Sequence, residues 1–163
     1  MKVSDNVVKA LIDQYNFEIE SGYVYLAMVH DLTEKNWAGF AHFMDLQAKE
    51  EYEHAERFQK FIEKIDGRVE LKAIPEPKKE YKSVLEIFKT ALEHEKEVTS
   101  RIEKIYELAL KEKNYVVTDF LKWFLSEQVE EEDTMRTICD TIEQLGDSFA
   151  SLYLFDKELG SRE

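Results

Sequence analysis

The chain has 163 residues, 44% of them hydrophobic and 35% charged, with five glycines, two prolines and one cysteine, a length and composition that predict a single all-α domain over 1–163. A net charge of −13 argues against nucleic-acid or anionic-membrane partners and leaves attraction of cations as the natural alternative. Cys139, standing alone, excludes an internal disulfide, a CxxC redox pair and a multi-cysteine zinc site.

Met1 to Ser4 leads straight into an amphipathic helix. With no signal peptide and no 18-residue apolar run, the chain is expected to be cytoplasmic. Ser4 or Asp5 caps this first helix, which runs to about Leu32. Its inner stripe of Val7, Leu11, Tyr15, Gly22, Tyr25, Leu26 and Val29 is interrupted near the middle by Glu18. A second stripe, Val8, Ile12, Ile19 and Tyr23, is more than a monomeric bundle needs and predicts a subunit contact.

Thr33 to Asn36 turns the chain into a second, antiparallel helix from about Trp37 to Ile65. Trp37, Ala41, Met44 and Ala48 lead into its middle, and Ala55, Phe58, Ile62 and Ile65 lead out of it. Between them, on the same face and three residues apart, stand Glu51 and His54. An ionised carboxylate in a buried stripe is costly without a partner, and a metal ion is the obvious one. Asp66 to Lys82, which holds Gly67, Pro75 and Pro77, is the one long loop. Extended, it reaches roughly 55–60 Å, against roughly 43 Å for a helix of the length of the second. The loop can therefore cross the whole bundle, and the third helix then runs parallel to the second.

Ser83-Val84-Leu85-Glu86 is a capping box, and the third helix continues to about Glu112. Glu95 interrupts its stripe of Val84, Phe88, Ala91, Val98, Ile102, Ile105 and Ala109. Lys113 and Asn114 turn into a fourth helix ending near Leu145, whose stripe of Val117, Leu121, Phe124, Met135, Ile138 and Ile142 is interrupted by Gln128. Trp123 on this helix reads as a packed aromatic. Gly146 and Asp147 break the chain before a short, apolar fifth helix from Ser148 to about Leu159. The bundle thus occupies about 4–145 and the C-terminal helix about 148–159.

Glu18, Glu51, Glu95 and Gln128 each fall near the midpoint of their own long helix, and midpoints coincide whichever way a helix points. One layer of the core therefore receives three carboxylates, the His54 imidazole and an amide. Carboxylates with one imidazole and no thiolate suit iron or manganese better than copper or structural zinc. Glu51 can bridge two metals about 3.5–4 Å apart, with Glu18 and His54 completing one site and Glu95 the other. Gln128, being neutral, is better suited to hydrogen-bonding than to strong ligation. Without metal, crowding should raise the pKa values of the three carboxylates.

Asn16-Phe17-Glu18 with Tyr25, Glu50-Glu51-x-x-His54, His94-Glu95, and Ser126-Glu127-Gln128 with Glu130-Glu131 resemble the ferritins, specifically the bacterial non-haem ferritins, over nearly the whole chain. The resemblance implies a four-helix bundle with one long crossover and a short fifth helix. It makes Glu18, Glu51, His54 and Glu95 the ligands of a di-iron ferroxidase centre, with Gln128 beside it and Tyr25 as a hydrogen-bonding or redox neighbour. It implies oxidation of Fe(II) by O2 or H2O2 and storage of ferric oxide in a hollow homo-oligomeric shell of 24 subunits. Glu50, Glu127, Glu130 and Glu131 match the positions of a third, all-oxygen iron site. Haem is not expected: bacterioferritins carry a methionine where this chain has Tyr52, and a second Glu-x-x-His where Glu127 is followed by Glu130. The alternative is a di-iron enzyme that detoxifies peroxide without storing iron.

Overall fold

The computed structural model describes residues 3–163 and is entirely helical in its regular elements; Met1 and Lys2, at the head of the expected domain span, lie outside the described residues. Four long helices, α1 (Asp5–Glu34), α2 (Ala38–Lys64), α3 (Val84–Lys111) and α4 (Tyr115–Leu145), are followed by α5 (Phe149–Gly160). Each expected boundary falls within two residues of the observed one. The caps explain this agreement: Ser4, Ser83, Asn114 and Ser148 each accept a backbone N–H from the first turn of their helix.

Three of the long helices stop in the same way. Asn36, Asp66 and Lys113 adopt positive φ of 62°, 63° and 57°. The next residue then donates back to the carbonyl five positions earlier, Trp37 to Leu32, Gly67 to Ile62 and Asn114 to Ala109. This closes the last carbonyls and turns the chain sharply, which keeps α1 antiparallel to α2 and α3 antiparallel to α4. The crossover runs along α1, held where Asn16 donates to the Glu70 carbonyl at 2.8 Å and accepts from the Lys72 amide at 2.8 Å. It ends beside the C-terminus of α1, where Lys35 Nζ donates to the Tyr81 carbonyl. Accordingly α3 begins near the start of α2, with the Phe40 and Phe88 rings 5.6 Å apart, and the two helices are parallel.

Part of the second α1 stripe packs inward. Val8, Ile12 and Ile19 are half-buried against the core, while Tyr23 stays 45% exposed. The C-terminal helix docks on the start of α2. Asp156, fully buried, accepts the Phe40 N–H at 2.8 Å, so a side chain of α5 caps α2, whose own N-cap Trp37 supplies no side-chain acceptor. A Cβ on Gly39 would meet the Asp156 carbonyl oxygen at 1.6 Å, so only glycine permits this approach. The outward face of α5 keeps Phe149 and Leu154 exposed.

The core is split in two. One apolar cluster, including Met28, Phe40, Met44, Phe88 and Ile138, fills the end near the α1–α2 turn. The other, including Leu11, Phe58, Ile102, Leu121 and Phe124, fills the opposite end. The polar layer lies between them.

Candidate metal centre

Glu18 and Glu95 have no solvent exposure, and Glu51, His54 and Gln128 have at most 3%. Heptad-like spacing on each helix puts these side chains inward, and the place of each near the midpoint of its helix puts them at one level. Glu18, Glu51 and His54 each present a ligand atom within 4.8 Å of the others. Across the layer, Glu95 is held by two donors: the Tyr25 hydroxyl to Oε1, and Gln128 Nε2 to Oε2 at 3.1 Å. Gln128 Nε2 also donates to the Glu95 carbonyl and to Thr99 Oγ1. In keeping with a neutral amide, Gln128 works here as a donor.

Two carboxylate oxygens stand apart from this network. Among the described residues, Glu18 Oε2 and Glu51 Oε2 are buried and find no hydrogen-bond partner, His54 Nδ1 standing 3.5 Å from Glu51 Oε2 without closing a hydrogen bond. Leaving such an atom unsatisfied costs a few kcal/mol each, so the layer is incomplete as a purely structural feature. An oxygen-seeking cation satisfies both atoms at once. The donor set, carboxylates and one imidazole without thiolate, fits iron.

The electrostatics follow from burial. Desolvation, then repulsion from Glu95 and Glu18, holds the Glu51 pKa well above the usual carboxylate range. Desolvation raises Glu95 to about 7, against the lowering effect of the Tyr25 and Gln128 hydrogen bonds. Tyr25 is pushed well above a normal phenol, first by burial and then by the neighbouring Glu95 and Glu51. Crowding is thus real, but desolvation is the larger cause.

A second group lies beside the first. Glu50, Glu127 and Glu131 bring ligand atoms within 4.8 Å of one another. Glu131 is buried, accepts from Gln47 Nε2 at 2.8 Å and is raised to about 8, chiefly by burial and then by Glu95 and Glu50. Glu50 is also raised, again by burial first. Glu130 does not join them and is exposed. At about 100° per residue, Glu130 points roughly 160° from Gln128, whereas Glu131 is only about 60° away.

Two glutamines passed over in the sequence, Gln14 and Gln47, support the layer. Gln14, buried, donates to Glu18 Oε1 at 2.7 Å and accepts from Arg101 Nε at 3.1 Å. Gln14 and Gln47 each precede a candidate ligand by four residues, one turn along the same face, and that spacing was the available signal. His94 stacks on Phe17 at 5.2 Å and meets Tyr25 edge-on at 5.8 Å. Because the Ser21 hydroxyl donates to the Phe17 carbonyl, His94 Nε2, 2.7 Å away, donates to Ser21 Oγ; burial lowers the His94 pKa. Trp123 packs edge-on against His54 at 5.5 Å, with the Arg57 guanidinium 3.8 Å from its ring centroid. Tyr52, 38% exposed, lies over Gly22.

Comparison with known proteins points the same way. A model of the ferritin-like domain matches residues 8–145. Bacterial non-heme ferritins of Staphylococcus haemolyticus (strain JCSC1435) and Staphylococcus aureus (strain USA300) are 42% and 39% identical over 160 residues, each alignment covering 98% of this chain and 96% of the relative. A crystal structure described as a novel open pore ferritin from the hyperthermophilic archaeon Archaeoglobus fulgidus superposes with a TM-score of 0.98 at 38% identity, covering 99% of this chain and 100% of that one. A closed form of that ferritin, engineered by site-directed mutagenesis, matches with the same TM-score and identity, covering 99% of each chain. No helix is long and apolar enough to cross a membrane among the described residues.

Proposed function

The chain belongs to the ferritin-like family of iron-storage proteins, and on that premise we propose that each subunit oxidises Fe(II) at an internal di-iron centre and delivers Fe(III) to an oxide mineral inside a hollow 24-subunit shell. The observation that carries this reading is the pair of orphaned carboxylate oxygens, Glu18 Oε2 and Glu51 Oε2, buried beside His54. Glu51 bridges the two substrate irons, Glu18 and His54 complete one site, and Glu95 supplies the other.

Each Fe(II) gives up one electron, and the pair reduces O2 to H2O2, or H2O2 to two waters, with two protons consumed in either case. The residues contribute to that proton balance. Burial keeps Glu95 partly protonated near neutral pH and shifts Glu51 in the same direction, so capture of Fe(II) displaces protons inside the layer where reduction consumes them. Tyr25 and Gln128 hold Glu95 in one orientation while its proton leaves. Glu50, Glu127 and Glu131 offer a further oxygen site next to the centre, through which iron moves onward. Assembly covers some of the apolar side chains left exposed on the subunit, Tyr23, Phe149 and Leu154 among them.

Aerobic Fe(II) titration of the apoprotein tests this, with iron per particle counted afterwards and particle size measured by light scattering. A fast phase saturating at two irons per subunit, followed by retention of many more, is expected. Rapid oxidation without retention would instead identify a peroxide-consuming di-iron enzyme, and a stable monomer or dimer would end the storage reading.

A further inference from the structure

We infer that Arg101, on α3, is a positioning residue for Glu18, on α1, acting through the side-chain amide of Gln14. The inference rests on the reading of Glu18 as a metal ligand. A glutamine amide can be reversed end for end at little local cost, and the two orientations are chemically opposite. With nitrogen toward Glu18, the amide donates to the carboxylate. With oxygen toward Glu18, two acceptors face each other and the carboxylate has to swing away.

The choice is made by Arg101. A guanidinium has only donors to offer. Its Nε lies 3.1 Å from Gln14 Oε1, which holds the amide oxygen away from the site and turns Nε2 toward Glu18 Oε1 at 2.7 Å. Arg101 is itself fixed. Its guanidinium carbon stands 4.0 Å from the Phe17 ring centroid, and Nη2 reaches the Asp13 carbonyl oxygen at 3.5 Å. The consequence falls on Glu18: one oxygen is engaged by Gln14, and the other, Oε2, is left buried and free for a cation. Because Gln14 is buried, the amide is shielded from bulk solvent, and Arg101 is the donor that selects its orientation.

Redox-inert Co(II) separates this role from a merely structural one, because its binding and visible spectrum need no turnover. Arg101→Met keeps an apolar stem over Phe17 and removes the donors. In the assembled apoprotein it should weaken Co(II) binding about tenfold, the lower end for loss of a residue that orients a metal ligand, and alter the visible bands. Gln14→Leu should do the same. The double variant should be no weaker than Gln14→Leu alone, since Arg101 acts through Gln14. Arg101→Lys, which keeps a donor-only cation, should weaken binding less than Arg101→Met does, and Gln14→Leu serves if Arg101→Met fails to assemble. Wild-type binding of Co(II) with unchanged affinity and bands in Arg101→Met overturns the inference alone, as do fully additive losses or an Arg101→Lys as weak as Arg101→Met. Wild-type protein that binds no Co(II), or whose bands survive His54→Ala, overturns the site reading and the inference with it.

Discussion

Tyr25 on α1 donates its hydroxyl to Glu95 Oε1 on α3, joining two helices across the polar layer by a hydrogen bond that spans 70 positions of sequence. That donor favours the ionised form of Glu95 and partly offsets the cost of burying it. Tyr25→Phe should therefore raise the Glu95 pKa further above about 7. The pH midpoint of Zn(II) binding should move upward, with affinity at neutral pH falling and the difference shrinking at higher pH. Loss of the bond should also cost the metal-free protein about 1–3 kcal/mol in thermal or denaturant unfolding. A pH midpoint that does not move would remove Tyr25 from any role in tuning Glu95.

The apoprotein should grow less stable as pH rises from about 4.5 to about 8. Glu95 and Glu131 ionise at the ordinary carboxylate value of 4.5 when unfolded but at about 7 and about 8 when folded, and Glu51 is shifted in the same direction. In this window the folded state binds more protons than the unfolded state, so raising pH favours unfolding. The stabilisation is fully present below the unfolded value and is lost through the folded values. A divalent ion bound to the ionised carboxylates should reverse the trend. Melting temperatures across this range, with and without Zn(II), check both slopes; a metal-free melting temperature that rises with pH through neutrality contradicts the assignment.

The two acidic groups should separate in kinetics. His54→Ala or Glu51→Ala should abolish fast oxidation of the first two irons per subunit. Glu131→Gln removes one member of the neighbouring group and should leave that phase within a few-fold of wild type, while changing later turnover. Glu130→Ala, altering an exposed side chain outside both groups, should change little. Stopped-flow absorbance over successive Fe(II) additions tests all four variants, and loss of the fast phase in Glu130→Ala would show that the division between the groups is misplaced.

Asp156→Ala should destabilise the subunit through the helix it caps rather than the one it belongs to. The Phe40 N–H would lose its partner in a buried position, a cost of about 1–2 kcal/mol for a lost cap. Amide exchange should accelerate at the start of α2 and throughout α5 while the metal layer stays protected. Gly39→Ala, which drives a methyl into the Asp156 backbone, should undock α5 more completely. If Asp156→Ala leaves exchange at Phe40 unchanged, the cap contributes nothing.

The sequence by itself determined the five helices, their limits and the residues that enter the polar layer. Those features are local: Ser4, Ser83 and Asn114 cap through backbone groups three residues away, and the 3.6-residue period fixes which side chains face inward. Placement near the midpoint of each long helix was enough to bring Glu18, Glu51, His54, Glu95 and Gln128 to one level. The tertiary structure alone decided the partners. Arg101 with Gln14, Tyr25 with Glu95, Gln47 with Glu131 and Asp156 with Phe40 each join different helices. It also decided that Val8, Ile12 and Ile19 of the second α1 stripe pack against the core, and that Glu130 points away where Glu131 points in. Helical periodicity assigns a side chain to a face within some tens of degrees, but a hydrogen bond depends on axial stagger and rotation between helices to within about an ångström. Those quantities are set by how the two apolar ends of the core pack, and no local pattern in the chain encodes them.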